Sequence, residues 1–240
     1  MTTFLLVHGA WHSGRCWDRV APLLEAAGHR VYAPTLTGYG ATAHLAGPEV
    51  GLNTHVDDVA GLIREADLTD VVLVGHSYAG LVVSSVVNAV PERIGRLVFL
   101  DAMVPEHGET AVDIHPGLRA TIEAALASDS GWRVPPMPEL PPPFGLFGVT
   151  DPDDVAWVRS MLSDQPVRCL QEPVRLDNPA ARAVARTHIH CTVAPAGIER
   201  RPVPPVQPNG APSEVWELPT GHDAMVTMPV ELSELLRKLG

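Results

Sequence analysis

At 240 residues the chain is long enough for one large domain with a sizeable core. A composition of 45% hydrophobic and 19% charged residues excludes a disordered chain. A net charge of -11, from 17 basic and 28 acidic side chains, argues against nucleic acid or an anionic membrane as partner, because either calls for a basic patch. The three cysteines, Cys16, Cys169 and Cys191, are too widely spaced for a disulfide framework or a zinc ligand set, and read as small buried apolar residues.

The opening "MTTFLLVHGA" has no basic segment, and its apolar run is too short for a signal peptide. The longest apolar stretch, 79–90, is too short to span a bilayer, so a cytoplasmic protein is expected. "FLLV" (4–7) is a continuous apolar run of the kind found in strands buried on both faces, and it ends at His8-Gly9. Residues 16–29 carry Trp17, Val20, Leu23, Leu24 and Ala27 at helical spacing, with Gly28 as a stop. A second strand is expected at 30–34, closed by Pro34, and a loop at 36–47. A helix over 53–68 has Asn53 or Thr54 as candidate cap. Then come a strand (70–75), a helix (79–93) stopped near Pro91, and a strand (96–102). Strict alternation of this kind predicts a parallel sheet with right-handed crossovers.

The rhythm breaks near residue 104. Helical pieces at 117–127 and 151–162 flank the proline-rich stretch 134–145, and no run of the buried-strand kind occurs up to about 185. This predicts an insertion into the sheet. The alternation resumes with strands at 187–193 and 213–219 and a closing helix at 229–240. Between those strands, 194–212 holds six prolines and two glycines, leaving room for a short crossover helix at most.

Chemistry enters at "VVLVGHSYAG" (71–80), a strand running into Gly-x-Ser-x-small and then a helix. A serine on so sharp a turn needs nearly side-chain-free neighbours two residues away on either side, which Gly75 and Ala79 supply. The turn would hold Ser77 at the carboxyl end of the sheet, where open α/β sheets bind ligands, with a helix N-terminus aimed at the same place. A serine that merely caps the helix is the plain alternative. Acyl transfer also needs two N–H donors for the oxyanion. Tyr78, after the serine, would give one, and Ala10 in "VHGAW" (7–11) the other. Of eleven histidines, His222 in "LPTGHDAM" (218–225) follows the last strand and is placed to act as general base. His76 points the wrong way for an elbow, and His188 and His190 read as structural.

Together "LLVHGAWHSGRCWDRVAPLLEAAGHRVYAPTLTGYG" (5–40), "VVLVGHSYAGLV" (71–82), "LVFLDAMVPEHGE" (97–109), "LQEPVRL" (170–176) and "GHDAMVTMPVEL" (221–232) resemble the α/β-hydrolase superfamily. Within it they resemble the branch of plant hydroxynitrile lyases, plant methylesterases and bacterial esterase relatives. The resemblance implies an α/β-hydrolase fold: a mostly parallel, doubly wound sheet from 1–103 and 186–240, with a helical cap from 104–185. It implies nucleophile Ser77, base His222, oxyanion donors Ala10 and Tyr78, and no cofactor. The lyases of the branch depend on a lysine in the cap. The single lysine here is Lys238, in the last helix, which weakens a cyanohydrin-cleaving reading.

The family's acid follows the penultimate strand in a pattern like C-T-x-D-P. Here "CTVAP" (191–195) places Ala194 at that position. Three solutions stay open: Asp101 at the end of the fourth strand, Glu199 folding back from its loop, or a serine–histidine pair with no acid. Asp223, adjacent to His222, is poorly placed to reach the ring. The leading expectation is a serine hydrolase of a small carboxylic ester. Alternatives are a lyase or cyclase of secondary metabolism using His222 as acid and base, and a ligand-binding module without turnover. The partner is expected to be a small molecule, and a homodimer is admitted but not required. Trp11, Tyr78, Trp132, Phe144, Phe147, Trp157 and Met225 are candidates to line an apolar pocket, Trp11 foremost.

Overall fold

The apolar runs become strands because each can bury both of its faces. In this computed structural model, which describes residues 1–197 and 200–240, β1 (Thr3–Val7), β2 (Arg30–Tyr32), β3 (Val71–His76) and β4 (Ile94–Leu100) form half of the structure's large sheet and more. The pairing β5 (Arg133–Val134) with β6 (Gln165–Pro166) is a separate antiparallel ribbon that sequence periodicity does not announce, each arm being two residues long. Then β7 (Ala185–Cys191) and β8 (Glu214–Leu218) complete the large sheet in the order β2-β1-β3-β4-β7-β8. Every neighbouring pair in it is parallel, so the sheet is wholly parallel where a mostly parallel one was expected.

Side-chain alternation divides the core in two. Leu5, Val7, Leu73, Leu97 and Phe99 face one cluster, while Phe4, Leu6, Val72, Val74, Val98 and Leu100 face the other. α2 (Leu52–Glu65) and α3 (Ala79–Ala89) cover the first face, through residues such as Val59, Ile63, Val82 and Val86. On the second face lie α1 (Ala21–Ala26) and the last helix of the chain.

Two helical expectations shift. The span 16–29 is not one helix: a 3-10 turn (Gly14–Trp17) precedes α1, which starts only at Ala21, ahead of Pro22 in its first turn. Trp17 and Val20 are still fully buried, so the apolar spacing marked the buried face correctly but not the helix boundary. Neither Asn53 nor Thr54 is the cap of α2. The helix begins after Gly51, whose N–H donates to Thr54 Oγ1 at 3.2 Å, and the Asn53 N–H donates to Glu172 Oε2 at 3.0 Å.

Between β4 and β7 the chain adds α4 (Ala111–Ile114), α5 (Leu118–Leu126), α6 (Pro152–Arg159) and α7 (Val167–Gln171). Apolar residues of this segment join the two clusters, Ile122, Val134 and Leu170 the first and Leu146, Val155 and Val158 the second. After β8 come α8 (Ala224–Thr227) and α9 (Pro229–Arg237), whose Leu232 and Leu236 are fully buried. Among the described residues the 194–212 connection contains no helix. Nor is any helix among them long and apolar enough to cross a membrane.

Candidate active site

β3 delivers Ser77 to the carboxyl edge of the sheet, beside the point where strand order reverses around β1. Ser77 sits at φ 56°, a left-handed conformation that a non-glycine residue adopts only when its surroundings impose it. The surroundings are tight. A Cβ on Gly75 would lie 2.6 Å from Val83 Cγ2, and one on Gly80 would lie 1.9 Å from Met103 O. Gly9, at the end of β1, approaches so closely that a Cβ there would be 2.8 Å from Ser77 Cβ. Ala79 fits at zero exposure. Ser77 is not the helix cap, a position that falls to Tyr78. Neither the Ala10 nor the Tyr78 N–H donates to an acceptor among the described residues. The Tyr78 side chain itself turns away into the core, its hydroxyl 3.0 Å from His55 Nδ1.

His222 follows β8. Its Nδ1 lies 2.6 Å from Asp101 Oδ2, which leaves Nε2 for the cavity. Of the acids left open by the sequence, Asp101 is therefore the one brought to His222; Glu199 lies outside the described residues. Asp101 closes β4 at φ 43°, and its N–H donates to Ile189 O at 2.8 Å. Its second oxygen, Oδ1, accepts from the Cys191 N–H at 3.2 Å and from Arg200 Nε and Nη2 at 3.1 and 2.6 Å. Burial works against the charge, but the hydrogen bond and charge of His222, followed by Arg200 and the Cys191 amide, hold the Asp101 carboxyl well below the usual carboxylate range.

A second layer holds the histidine's backbone. His76 is fully buried under the His222 ring, with ring centroids 4.5 Å apart, and its Nε2 donates to His222 O at 3.0 Å. Asp223 points away from the His222 ring, as its place in the sequence suggested, and pairs with buried His12 at 2.9 Å. The Asp223 N–H donates to Phe147 O at 2.8 Å. Gly148 and Gly221 touch backbone to backbone: a Cβ on Gly148 would lie 2.4 Å from Gly221 Cα and 2.6 Å from His222 N.

Ser77, Asp101 and His222 line one cavity of about 630 Å³. Trp11 lines it too, at φ 66° with its Nε1–H given to Val134 O at 3.0 Å, as do Phe144 and Phe147. The other aromatic and apolar candidates do not. Trp132 packs under the Arg133 guanidinium, Trp157 under that of Arg19, and Met225 is buried in the second core cluster. His190 faces the cavity from the end of β7, contrary to the purely structural expectation, while His188 stacks on Phe99 in the interior. His115 and Arg200 also line the cavity; neither carries a local motif by which sequence reasoning could have found it.

The strained serine on a strand-to-helix turn and the histidine on the last loop lie where the resemblance implied them, whereas the carboxylate behind the histidine comes from the end of β4 and not from the position of Ala194. The sequence profile of the alpha/beta hydrolase family matches residues 4–235. The chain belongs to that family. This α/β hydrolase is 38% identical over 249 aligned positions, the whole of both chains, to a carbendazim hydrolyzing esterase of Nocardioides sp. (strain SG-4G). It is 27% identical to Methylesterase 10 of Arabidopsis thaliana, over 98% of this chain and 90% of that one. Among solved structures, an extracellular alpha/beta-hydrolase from a Paenibacillus species matches with a TM-score of 0.81 at 26% identity, covering 100% of this chain and 99% of that one. That protein is described as sharing structural and functional homology with tobacco salicylic acid binding protein 2.

Proposed function

We propose that this α/β hydrolase cleaves a carboxylic ester through an acyl-enzyme on Ser77. The observation that carries the reading is the 2.6 Å contact between His222 Nδ1 and Asp101 Oδ2 on the wall of the cavity that Ser77 lines. His222 Nε2 takes the Ser77 proton as the hydroxyl attacks the ester carbonyl, and returns it to the leaving alcohol. Asp101 keeps the imidazole in the tautomer with Nδ1–H and stabilises the imidazolium. The free N–H groups of Ala10 and Tyr78 receive the oxyanion, helped by the N-terminus of α3. Water, activated by the same histidine, then releases the acid. The 104–185 segment acts as the cap: it supplies Phe144, Phe147 and His115 to the cavity and keeps bulk water from the acyl-enzyme. The esterase relatives support this class of reaction for the chain.

The lyase or cyclase reading took its motive from Ala194 and from the altered 194–212 loop; Asp101 behind His222 weakens the first of these. Turnover of a p-nitrophenyl ester series, wild type beside Ser77→Ala, tests the proposal. The wild type should turn over and be labelled at Ser77 by a fluorophosphonate, and Ser77→Ala should do neither. A Ser77→Ala variant that keeps most of its activity on the substrate would overturn the acyl-enzyme.

A further inference from the structure

The loop that follows β7 is where relatives of this branch are expected to carry their acid, and where this chain has Ala194. The same loop does not merely lack a carboxylate. It brings in a cation. We propose that Arg200 is a positioning residue for the reaction: its guanidinium clamps the Asp101 carboxylate so that Oδ2 meets His222. This rests on the acyl-enzyme reading above.

The role follows from how the carboxylate is held. Asp101 reaches His222 from the end of β4, on a residue at φ 43°, and not from the loop facing the histidine. Its carboxylate therefore needs an independent anchor. Arg200 gives two donors to Oδ1, Nε at 3.1 Å and Nη2 at 2.6 Å, and its Nη2 also donates to Cys191 O. The Cys191 N–H gives Oδ1 a further donor at 3.2 Å. A planar guanidinium bound at two nitrogens fixes the carboxylate plane in a way that a lysine ammonium, a point charge, does not. The Asp101 side chain is 8% exposed and that of Arg200 35%, so the pair is screened by water on one side only.

The test compares wild type, Arg200→Met, Arg200→Lys, Asp101→Asn and the Asp101→Asn/Arg200→Met double variant, by kcat and KM on one p-nitrophenyl ester. Arg200→Met should lower kcat by about tenfold or more through loss of carboxylate orientation, with KM within about twofold of wild type. Arg200→Lys keeps the charge but not the two-point grip and should recover only part of that loss. In the Asp101→Asn background Arg200→Met should cost little further kcat, because there is no carboxylate to orient. An unmoved kcat in Arg200→Met would overturn the proposal, as would an equal loss with and without Asp101. The downfield proton resonance of His222 Nδ1–H, the signature of its bond to Asp101, separates this outcome from failure of the esterase reading. If no ester is turned over, that resonance should still weaken or move upfield in Arg200→Met, and an unchanged resonance would overturn the proposal by itself.

Discussion

In the proposed mechanism Asp101 serves His222 from the end of β4, one of the places the sequence had left open. β4 neighbours both β3 and β7 in the sheet, so its carboxyl end lies between the serine and the last loops, and a side chain there needs only a left-handed turn to face His222. Asp101→Asn keeps the shape but lets the amide favour the wrong imidazole tautomer. Ester kcat should fall by about three to four orders of magnitude while fluorophosphonate labelling of Ser77 slows but persists, because the oxyanion donors and cavity remain. A loss under tenfold would remove Asp101 from the mechanism. Ser77, His222 and the amide donors could be proposed from the sequence because their environment is local: a glycine and an alanine two residues either side of the serine, a strand before and a helix after, or a glycine ahead of a loop histidine. Arg200 was not, since its meaning comes from a carboxylate 99 residues away.

At the scale of elements, apolar runs announced β1, β3 and β4 because these strands are buried on both faces, and the 3.6-residue spacing announced α2 and α9. What sequence could not show is how the 104–185 segment meets the loop that carries His222. Gly148 lies against Gly221 and His222 backbone to backbone, and Phe147 O accepts from the Asp223 N–H, contacts that no side-chain pattern encodes. Gly148→Ala should therefore act as an active-site mutation. Its φ of 88° and its 2.6 Å approach to His222 N both forbid a Cβ without movement. We expect a destabilisation of about 1–3 kcal/mol, read from urea midpoints, and a fall in kcat larger than the change in KM. Wild-type kcat in Gly148→Ala would mean that this contact does not hold His222 in place.

For the whole molecule, four buried imidazoles are held neutral by the interior. Burial holds His8 and His76 at about 3 and His55 and His188 at about 4. Unfolded, each titrates near ~6.5, so as pH falls below that value the unfolded chain binds protons that the folded one refuses. Stability is lost on acidification through this window, by about 1.4 kcal/mol per pH unit for each such group. His12 runs the other way. Burial disfavours its charge, but the charge and hydrogen bond of Asp223 outweigh that and raise it, so its contribution is present below about 6.5 and lost as pH rises through the raised value. Asp223, itself depressed by His12 despite burial, contributes above about 4 and loses its share in acid. Four groups outweigh one, and unfolding free energies from urea titrations should be higher at pH 7.5 than at pH 5. His188→Phe, which keeps the stack on Phe99 and removes a buried Nδ1 without a partner, should shrink that difference by about 2 kcal/mol. An unchanged difference would show that His188 is protonated in the fold.

The position of Lys238 has a practical consequence. It lies at the carboxyl end of α9, and the helix runs back against the parallel strands, so that its end meets the start of β1: a Cβ on Gly240 would touch Thr2 Oγ1 at 2.3 Å. The cavity opens at the other edge of the sheet. The sole lysine amine is thus on the far side of the molecule from Ser77. Amine-directed coupling through it to a solid support would leave the mouth of the cavity facing the solution, with the reacting groups untouched.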